Sequence, residues 1–314
     1  MLIIERKESE KLKMYEILLR RMDLQHEQFE SIKTLYRNAR KGYLGELRAD
    51  REWCELNIQR KHYLFHSFEA WNRNGHSHQI DTLFLCSSFI LVMETKDIGG
   101  RIDFDEERRQ MIQTRADETK IVYAHPADQV LRHKAFIQEE MLKIGISIPV
   151  IPIMLFTDIK TWIATSESEV DIFRINGLRQ KINLLFQKHK EVLDEEQLER
   201  IKDHFISSYR AIKLRRQYSD IPLVQGIVCE NCRMRMIHER KGFRCPCCNV
   251  KKMDGVEEAM QEYRILYKDW ITNSEFRDFM GVESIQTANK MLKRLGLRVE
   301  GENRNRKYYI PRKD

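Results

Sequence analysis

The segment HQIDTLFLCSSFILVMETK, residues 78–96, contains two apolar runs that meet at the dipeptide Ser87–Ser88. Runs rich in branched and aromatic residues on either side of a short polar pair are typical of a β-hairpin. A two-residue turn at the serines places Asp81 directly opposite Glu94, with Cβ atoms about 4.5–5.5 Å apart. Because two facing carboxylates repel each other, this pairing predicts a cation between them, and a divalent ion is the simplest candidate.

Lys96 follows Glu94 by two residues and therefore points to the same face of the predicted strand, whereas Thr95 points to the other face. An ammonium group beside a bound divalent cation can orient an attacking water. Asp81, Glu94 and Lys96 together therefore predict metal-dependent hydrolysis of a phosphodiester bond. The alternative interpretation is an ordinary cross-strand salt bridge between Lys96 and one of the carboxylates.

Apolar periodicity divides the flanking chain into strands and helices. Strand-like runs occupy residues 62–68, 80–86, 89–96, 148–156 and 170–175, and helical patterns occupy residues 42–58, 126–145, 177–190 and 194–216. Pro126 and Gly145 bracket the second helix, and Asp194 is a candidate N-cap for the last. The polar segment 99–123 predicts a hairpin or loop beside a substrate. The predicted fold class is α/β (α+β), with a mixed central sheet flanked by helices.

Four motifs in this region lie in a fixed order: GYLGE at 42–46, HQIDTLFL at 78–85, ILVMETKDIGG at 90–100 and PADQVLRH at 126–133. Their combination resembles the nuclease-related domain (NERD) family, a branch of the PD-(D/E)xK nuclease superfamily, over roughly residues 40–160. Ile80 takes the position before the aspartate, where the superfamily pattern has proline. The resemblance implies a restriction-endonuclease-like core and a catalytic Mg²⁺ or Mn²⁺ ion.

The resemblance also implies roles for individual residues. Asp81, Glu94 and the Thr95 carbonyl would ligate Mg²⁺, and Lys96 would position the nucleophilic water. Glu46 would act as an outer or second-metal ligand. This last role has an alternative, because a glutamate on an exposed helix face needs no functional explanation.

Four further polar residues are weaker candidates. Gln129 and His133 lie four residues apart, on one face of the predicted helix, and the resemblance implies that the glutamine points into the site. His76 and His78 precede the hairpin strand and are candidates for contacting phosphate or transferring a proton. Each of the four also has a simple structural explanation as a solvated side chain near the surface.

The cysteine pairs CENC at 229–232 and CPCC at 245–248 predict a zinc ribbon, in which two turns each aim two sulfur atoms at one ion. The four predicted ligands are Cys229, Cys232, Cys245 and Cys248. A closed shell of four thiolates leaves no position for water, so the Zn²⁺ would be structural. Cys247 is an alternative to Cys248, and His238 is a weaker alternative ligand.

Residues 270–314 predict a winged helix-turn-helix. Thr272 and Glu275 form a capping box for one helix, and Gly281 marks a turn. Ser284 caps a second helix. Two strand-like pieces on either side of GENRNR follow this second helix. The second helix would enter the major groove of DNA, and the wing would contact phosphate through Arg304, Arg306 and Lys307. The alternative is a packing or protein-interaction module of the same shape.

Length and composition set the remaining expectations. The chain has 314 residues, 42% hydrophobic and 33% charged, with a net charge of +7, which permits a polyanionic partner without requiring one. Its predicted divisions are a helical N-terminal arm (1–40), a nuclease-related domain (41–160), a helical extension with a linker (161–220), a zinc ribbon (225–255) and a winged-helix-like segment (260–314). Without a signal-like N-terminus or a long apolar run, a cytoplasmic location is expected.

The predicted function is Mg²⁺-dependent hydrolysis of DNA, with the zinc ribbon and winged helix as targeting modules. Two alternatives come from other functional classes. One is a nucleic-acid-binding regulator or adaptor that retains a nuclease fold but does not cut. The other is a protein-interaction scaffold, which would show no salt-dependent affinity for DNA.

Overall fold

The computed structural model describes residues 1–164, 168–216, 218, 220–239, 242–302 and 305–312. The chain divides into two compact units, Met1–Lys7 with Arg40–Lys213, and Glu8–Ala39 with Leu214–Asp314. Helix α1 (Glu10–Arg21) belongs to the second unit, and helix α2 (Phe29–Glu55) contributes residues to both. No helix among the described residues combines the length and apolarity that a membrane span needs.

Two sheets form the first unit. Its strands are β1 (Leu2–Ile4), β2 (His62–Trp71), β3 (Ser77–Cys86), β4 (Ile90–Lys96), β5 (Gly100–Asp105), β6 (Gln110–Thr114), β7 (Lys120–Ala124), β8 (Val150–Phe156), β9 (Thr161–Ile163) and β10 (Asp171–Arg174). The main sheet has the order β1-β2-β3-β4-β8-β10 and the second sheet has the order β7-β6-β5-β9. Helices α3 (Ala127–Lys143), α4 (Leu178–Lys188) and α5 (Glu195–Ser208) accompany them.

The hairpin β3–β4 has the predicted register. Its ladder runs from Thr82 opposite Met93 to Leu85 opposite Ile90, and the backbone N–H of Cys86 donates to the Phe89 carbonyl across the two-serine turn. The neighbouring pairs β4–β8 and β8–β10 are parallel, whereas β2–β3 is antiparallel. The main sheet is therefore mixed, which confirms the predicted fold class.

Strand β4 is buried on both faces because helices cover each side of the main sheet. Ile90 and Val92 face one core cluster, which includes side chains from α3 and α5. Leu91 and Met93 face another, which includes Ala49 and Trp53 of α2 and residues of α4. The continuous apolar run of β4 follows from this two-sided burial.

The polar segment 99–123 forms the hairpin that its sequence predicts and also extends beyond it. Strands β5 and β6 pair antiparallel, β7 adds to β6, and β9 pairs with β5 in parallel. Gly100 begins β5 with a φ of +93°, and a Cβ there would lie 2.5 Å from the Thr114 carbonyl oxygen. A side chain at this position would therefore separate β5 from the end of β6.

Helix α5 ends at Ser208 and not at residue 216, as the periodicity predicts. Glu69 of β2 explains the early end. Its carbonyl accepts from the backbone N–H of Arg210 at 2.9 Å, and its carboxylate accepts from the N–H of Ile212 at 2.6 Å. These contacts hold the chain after α5 in a non-helical path.

Residues 1–7 depart from the helical arm predicted for residues 1–40. Leu2–Ile4 form β1, which pairs with β2 in parallel, Leu2 lying opposite Leu64. Ile3 and Ile4 pack against the core cluster of the main sheet. The short apolar run at the N-terminus is thus an edge strand, because burying these side chains on the sheet removes them from water.

The second unit contains a ribbon followed by a winged helix. Its elements after α1 are β11 (Ile237–Glu239), β12 (Gly242–Arg244), β13 (Lys251–Lys252), α6 (Val256–Leu266), β14 (Trp270–Ile271), α7 (Asn273–Met280), α8 (Ile285–Arg294), β15 (Arg298–Glu300) and β16 (Lys307–Tyr309). The capping box of Thr272 and Glu275 is present, Gly281 is left-handed, and Ser284 caps α8. The sequence analysis missed α6 and β14, which complete the order of a winged helix. Arg304 lies outside the described residues.

One hydrophobic cluster joins the ribbon to the winged helix. It includes Cys229 and Phe243 of the ribbon together with Phe276 of α7. Helix α1 packs in a neighbouring cluster through Leu18, beside Ile265 of α6. The predicted segments 225–255 and 260–314 therefore share one folded unit with α1.

Candidate active site and metal centre

Asp81 and Glu94 lie side by side in the hairpin β3–β4 and are both buried, with 8% and 3% of their surfaces exposed. The register of the ladder continues from Thr82 opposite Met93 to place these two carboxylates opposite each other. The backbone N–H of Thr95 donates to Asp81 Oδ2 at 2.7 Å, which fixes that side chain. A role for the Thr95 carbonyl as a ligand stays a prediction.

Lys96 and Gln129 complete the cluster. Lys96 Nζ donates to Glu94 Oε1 at 2.6 Å and to Gln129 Oε1 at 3.3 Å. The other carboxylate oxygen, Glu94 Oε2, is buried and has no hydrogen-bond partner among the described residues. An unpartnered, buried carboxylate oxygen beside a second carboxylate fits the oxygen ligands that Mg²⁺ prefers.

The electrostatics of these groups also favour a cation. Burial, together with the negative charge of Asp81, raises the pKa of Glu94 to about 8, against the opposing effect of Lys96. Burial also raises the pKa of Asp81, although Lys96 and the Thr95 N–H oppose it. Burial disfavours the ammonium of Lys96, but the charge and hydrogen bond of Glu94 outweigh it and raise the pKa of Lys96. Added positive charge would stabilise both carboxylates in their ionised form.

Glu46 has a different environment from the one predicted. Its Oε2 accepts from Arg6 Nη1 at 2.5 Å, and its carboxylate does not join those of Asp81 and Glu94 in a group whose donor atoms all lie within 4.8 Å. Burial and the charge of Asp81 raise the pKa of Glu46 to about 8, and Arg6 opposes them. The structure thus ties Glu46 to an arginine, and its role as an outer or second-metal ligand stays a prediction.

Arg6 is a site residue that the sequence analysis missed. Its side chain is 1% exposed and contacts five groups: Glu46, Asp50 Oδ2 at 2.7 Å, Ser67 Oγ at 2.8 Å, the Asp81 carbonyl at 2.7 Å and Thr82 Oγ1 at 3.5 Å. The one available signal was an arginine two residues after the apolar run of β1. Because the partners come from α2, β2 and β3, only the folded sheet brings them together.

The predicted histidines separate into a buried pair and an exposed residue. Nδ1 of His78 and Nδ1 of His133 are 3.1 Å apart, and the His78 ring stacks on Phe136 with centroids 4.2 Å apart. His133 Nε2 is buried without a hydrogen-bond partner among the described residues, whereas His76 is exposed. His78 and His133 therefore lie where α3 packs against β3.

The His133 imidazole is expected to make the first unit sensitive to acid. Burial, aided by the charges of His78, Arg132 and Lys96, lowers the pKa of His133 to about 3. In the folded state the His133 imidazole stays neutral down to about pH 3, whereas in the unfolded chain it takes up a proton near pH 6.5. The free energy of unfolding therefore falls as the pH is lowered from about 6.5 toward 3. Between pH 7 and 5, we expect a loss on the order of 1–2 kcal/mol from this residue.

Chemical denaturation of the first unit at pH 7 and pH 5 measures this effect. His133→Gln should show a smaller loss of unfolding free energy between the two pH values than the wild type. The exposed His76→Gln substitution is the matched control and should retain the full loss. An equal pH dependence for His133→Gln and wild type would contradict the prediction.

Four cysteines meet in the ribbon. The sulfur atoms of Cys229 and Cys248 are 3.4 Å apart, those of Cys232 and Cys245 are 3.2 Å apart, and all four lie within 4.8 Å of one another. Sulfur ligands at about 2.3 Å from a tetrahedral zinc ion are about 3.8 Å apart, so the cluster is compatible with Zn²⁺. Among the described residues, no other group of three or more metal-ligating side chains is gathered this closely.

The two turns that hold these cysteines are alike. Arg233 and Asn249 each follow a C-x₂-C pair with a positive φ, and their N–H groups donate to the carbonyls of Cys229 and Cys245. Backbone N–H groups, first that of Cys248, lower the pKa of the Cys245 thiol to about 6, which favours the thiolate that binds metal.

Two alternative ligands are set apart from this cluster. Cys247 is exposed and is not a member of the group, so Cys248 supplies the fourth sulfur. The His238 ring lies against Phe243, with centroids 5.3 Å apart. The spacing of the cysteines in the sequence does not distinguish Cys247 from Cys248 as the fourth member of the cluster. The fold of the second C-x₂-C turn places the Cys248 sulfur there.

Basic residues lie on helix α8 and on strands β15 and β16 of the winged helix. Helix α8 carries Lys290, Lys293 and Arg294 and no acidic residue. In the three-stranded wing sheet, Lys307 Nζ lies 4.5 Å from the centre of the Trp270 ring, and the Arg298 guanidinium lies 4.5 Å from that of Tyr309. The contact of these basic residues with phosphate stays a prediction.

Comparison with known proteins gives one match, to a protein-family model. No curated protein and no solved structure matches the chain. The sequence model of the nuclease-related domain family matches residues 41–157, just over a third of the chain. The matched segment contains the hairpin with Asp81, Glu94 and Lys96 as well as Gln129 of α3. Residues 41–157 of this chain therefore match the nuclease-related domain family.

Proposed function

We propose that this protein hydrolyses DNA phosphodiester bonds with the help of Mg²⁺ or Mn²⁺. The observation that carries the proposal is the buried, unpartnered Glu94 Oε2 beside Asp81, with the Lys96 ammonium 2.6 Å from the other oxygen of Glu94. A nuclease-related domain implies a nucleic acid substrate. The choice of DNA rests on the winged helix in the same chain.

Each residue of the cluster has a chemical role in this proposal. A divalent cation, when bound, supplies a water of lowered pKa and positive charge at the phosphate. Asp81 and Glu94 hold the cation, and the Thr95 N–H keeps the Asp81 carboxylate in place. Lys96 orients the attacking water and offsets the negative charge that develops on the phosphate, while Gln129 steadies its ammonium.

The second unit supplies targeting in the same proposal. Cys229, Cys232, Cys245 and Cys248 hold one structural Zn²⁺, which fixes the ribbon against the winged helix. Helix α8 enters the major groove, and Arg306 and Lys307 contact phosphate. A cytoplasmic location fits these free thiols, since that compartment keeps cysteines reduced.

Loss of Asp81 or Lys96 is expected to abolish cleavage. Asp81→Asn and Lys96→Met should each lower the rate roughly 10²–10³-fold or more, because each removes charge that acts on the developing transition state. The measurement is cleavage of supercoiled, linear and single-stranded DNA by the full chain with Mg²⁺ or Mn²⁺. The exposed pair Asp117→Asn and Lys120→Met makes the same chemical changes away from the cluster and should cleave at the wild-type rate.

The result separates this proposal from its rival. Metal-dependent cleavage that only the two cluster variants lose supports hydrolysis. Folded wild type that binds DNA with salt-dependent affinity but never cuts would overturn it in favour of a non-cleaving regulator or adaptor. Absence of both cutting and binding would favour a protein-interaction scaffold.

A further inference from the structure

A cavity of about 470 Å³ opens beside the catalytic cluster of the first unit. Lys96 and Gln129 line it on one side, and Met111 and Tyr123 of the hairpin β6–β7 line it on another. Its volume lies in the range of pockets that bind small organic ligands, about 300–1,000 Å³. Whatever occupies this space lies next to the reacting phosphate in the proposed reaction.

Arg132 gives one wall of this cavity a positive charge. It lies on α3, three residues after Gln129, and is exposed. Among the described residues it has no ion pair or hydrogen bond, and its nearby titratable groups include the buried histidines His78 and His133. The acidic lining residue Asp128 is paired with Arg109. A guanidinium with no acidic partner is suited to a phosphate group.

Tyr123 gives the cavity an exposed aromatic surface, and Met111, its neighbour across the β6–β7 pair, is buried with 2% of its surface exposed. The Tyr123 side chain is 36% exposed, and its hydroxyl donates to Gln113 Oε1 at 3.1 Å. Gln113 Nε2 in turn donates to the Gly99 carbonyl at 2.6 Å. The hydroxyl is thus anchored on the sheet, which holds the ring in place without loss of its exposed surface.

We propose that this cavity binds one unpaired nucleotide of the DNA strand, next to the phosphodiester bond that is cut. Tyr123 contacts the base, and Arg132 contacts the adjoining phosphate. Bases in a duplex are covered by their neighbours, so an aromatic wall beside the reacting group contacts a base only when that base is unstacked. The inference rests on the proposed nuclease function for the position of the cut, and it names a single strand or a frayed end as the preferred substrate.

The same sheet provides a matched control. Trp162 of β9 is 61% exposed, and Arg101, its partner on β5, lies 4.9 Å from the centre of its ring. Trp162 and Arg101 line a separate cavity that does not include Lys96 or Gln129. Each of the two cavities is therefore lined by an aromatic ring of the second sheet and an arginine, but only the pair of Tyr123 and Arg132 lies beside the catalytic cluster.

Steady-state cleavage of a labelled single strand tests the proposal on the full, zinc-loaded chain. Tyr123→Ala and Arg132→Ala should each raise KM roughly tenfold or more, since stacking and phosphate contacts of this kind act on binding, while kcat changes much less. Arg132→Lys, which retains the charge, should lie between. Trp162→Ala should leave KM unchanged. The duplex of the same sequence should be the poorer substrate.

Photocrosslinking gives a readout that does not depend on cutting. A single strand with 5-iodouracil at successive positions is crosslinked to the Lys96→Met variant, and the modified peptides are identified by mass spectrometry. Crosslinks on Tyr123 that disappear with Arg132→Ala support the proposal. Crosslinks that avoid this cavity, or an equal change of KM with Trp162→Ala, overturn it.

The two proposals fail in distinguishable ways. If the wild type crosslinks at Tyr123 but never cleaves, the nucleotide site stands and the hydrolase function falls. If the wild type cleaves duplex and single strand equally and Tyr123→Ala has no effect, the hydrolase stands and the nucleotide site falls.

Discussion

Removal of zinc from Cys229, Cys232, Cys245 and Cys248 is expected to unfold the ribbon of the second unit. A structural zinc ion bound by four thiolates contributes apparent free energies of roughly 10–16 kcal/mol to small domains at neutral pH. The ribbon has few other sources of stability, since its strands β11–β13 are only two or three residues long. Its buried apolar side chains, Ile227, Met236 and Phe243, face a cluster shared with the winged helix.

Hydrogen exchange with and without a zinc chelator measures this loss. Residues 227–252 should lose protection completely, and the winged helix should be weakened because Cys229 and Cys245 belong to its cluster. The nuclease-related domain contains none of these ligands, and its exchange should not change. A ribbon that stays protected after zinc has been removed would contradict the prediction.

The adjacent cysteines Cys247 and Cys248 provide a matched pair of variants. Cys248→Ser should lose zinc, because its sulfur is one of the four that cluster. Cys247→Ser makes the same change one residue earlier, at an exposed position outside the cluster, and should retain one zinc ion per chain. The opposite result would show that Cys247 is the fourth ligand.

Replacement of Arg6 by methionine is expected to destabilise the first unit by about 3–5 kcal/mol, the typical cost of removing one partner from a buried ion pair. Methionine retains much of the volume but leaves Glu46 and Asp50 without their guanidinium partner. It also removes the donor to the Asp81 carbonyl. The Glu46 and Asp50 side chains are only 22% and 15% exposed, so both carboxylates would lose a largely buried partner, although Asp50 would keep its contact with His66 Nδ1 at 3.1 Å.

Urea unfolding of wild type, Arg6→Met and Arg6→Lys measures the loss. The lysine variant keeps the charge but cannot contact all the partners of the guanidinium fork, so it should lie between the other two. Arg101→Met is the control, because Arg101 pairs with Asp103 on the exposed face of β5 and its loss should hardly change the free energy of unfolding. Equal stabilities for Arg6→Met and wild type would show that the buried cluster contributes nothing net.

The hairpin that carries Asp81, Glu94 and Lys96 could be predicted because its signals are local. Two apolar runs around Ser87–Ser88 specify the turn, and the turn specifies the register. A slip of one residue would move every side chain of β4 to the other face of the sheet, so the pairing of Asp81 with Glu94 follows directly. The capping box of Thr272 and Glu275 was predictable for the same reason, since its partners lie three residues apart.

Contacts between distant segments could not be predicted in this way. The run Leu2–Ile4 is too short to distinguish a strand from a helix, and only the exposed edge of β2 decides its conformation. Strand β9 is similar, because Trp162 pairs with Arg101 across a long separation in sequence. Helix α5 ends where Glu69, on strand β2, accepts hydrogen bonds from the backbone N–H groups of Arg210 and Ile212.

The sequence by itself determined the mixed α/β class, the carboxylate–lysine hairpin, the four-cysteine motif and the two capped helices of the tail. Each depends on residues a few positions apart, whose geometry the backbone fixes. The tertiary structure alone decided that Arg6 binds Glu46, that Cys248 and not Cys247 joins the sulfur cluster, and that Tyr123 and Arg132 face one cavity beside Lys96. These three contacts depend on where separate strands and helices meet. The burial of apolar faces sets those meeting points, and no periodic pattern in the sequence records them.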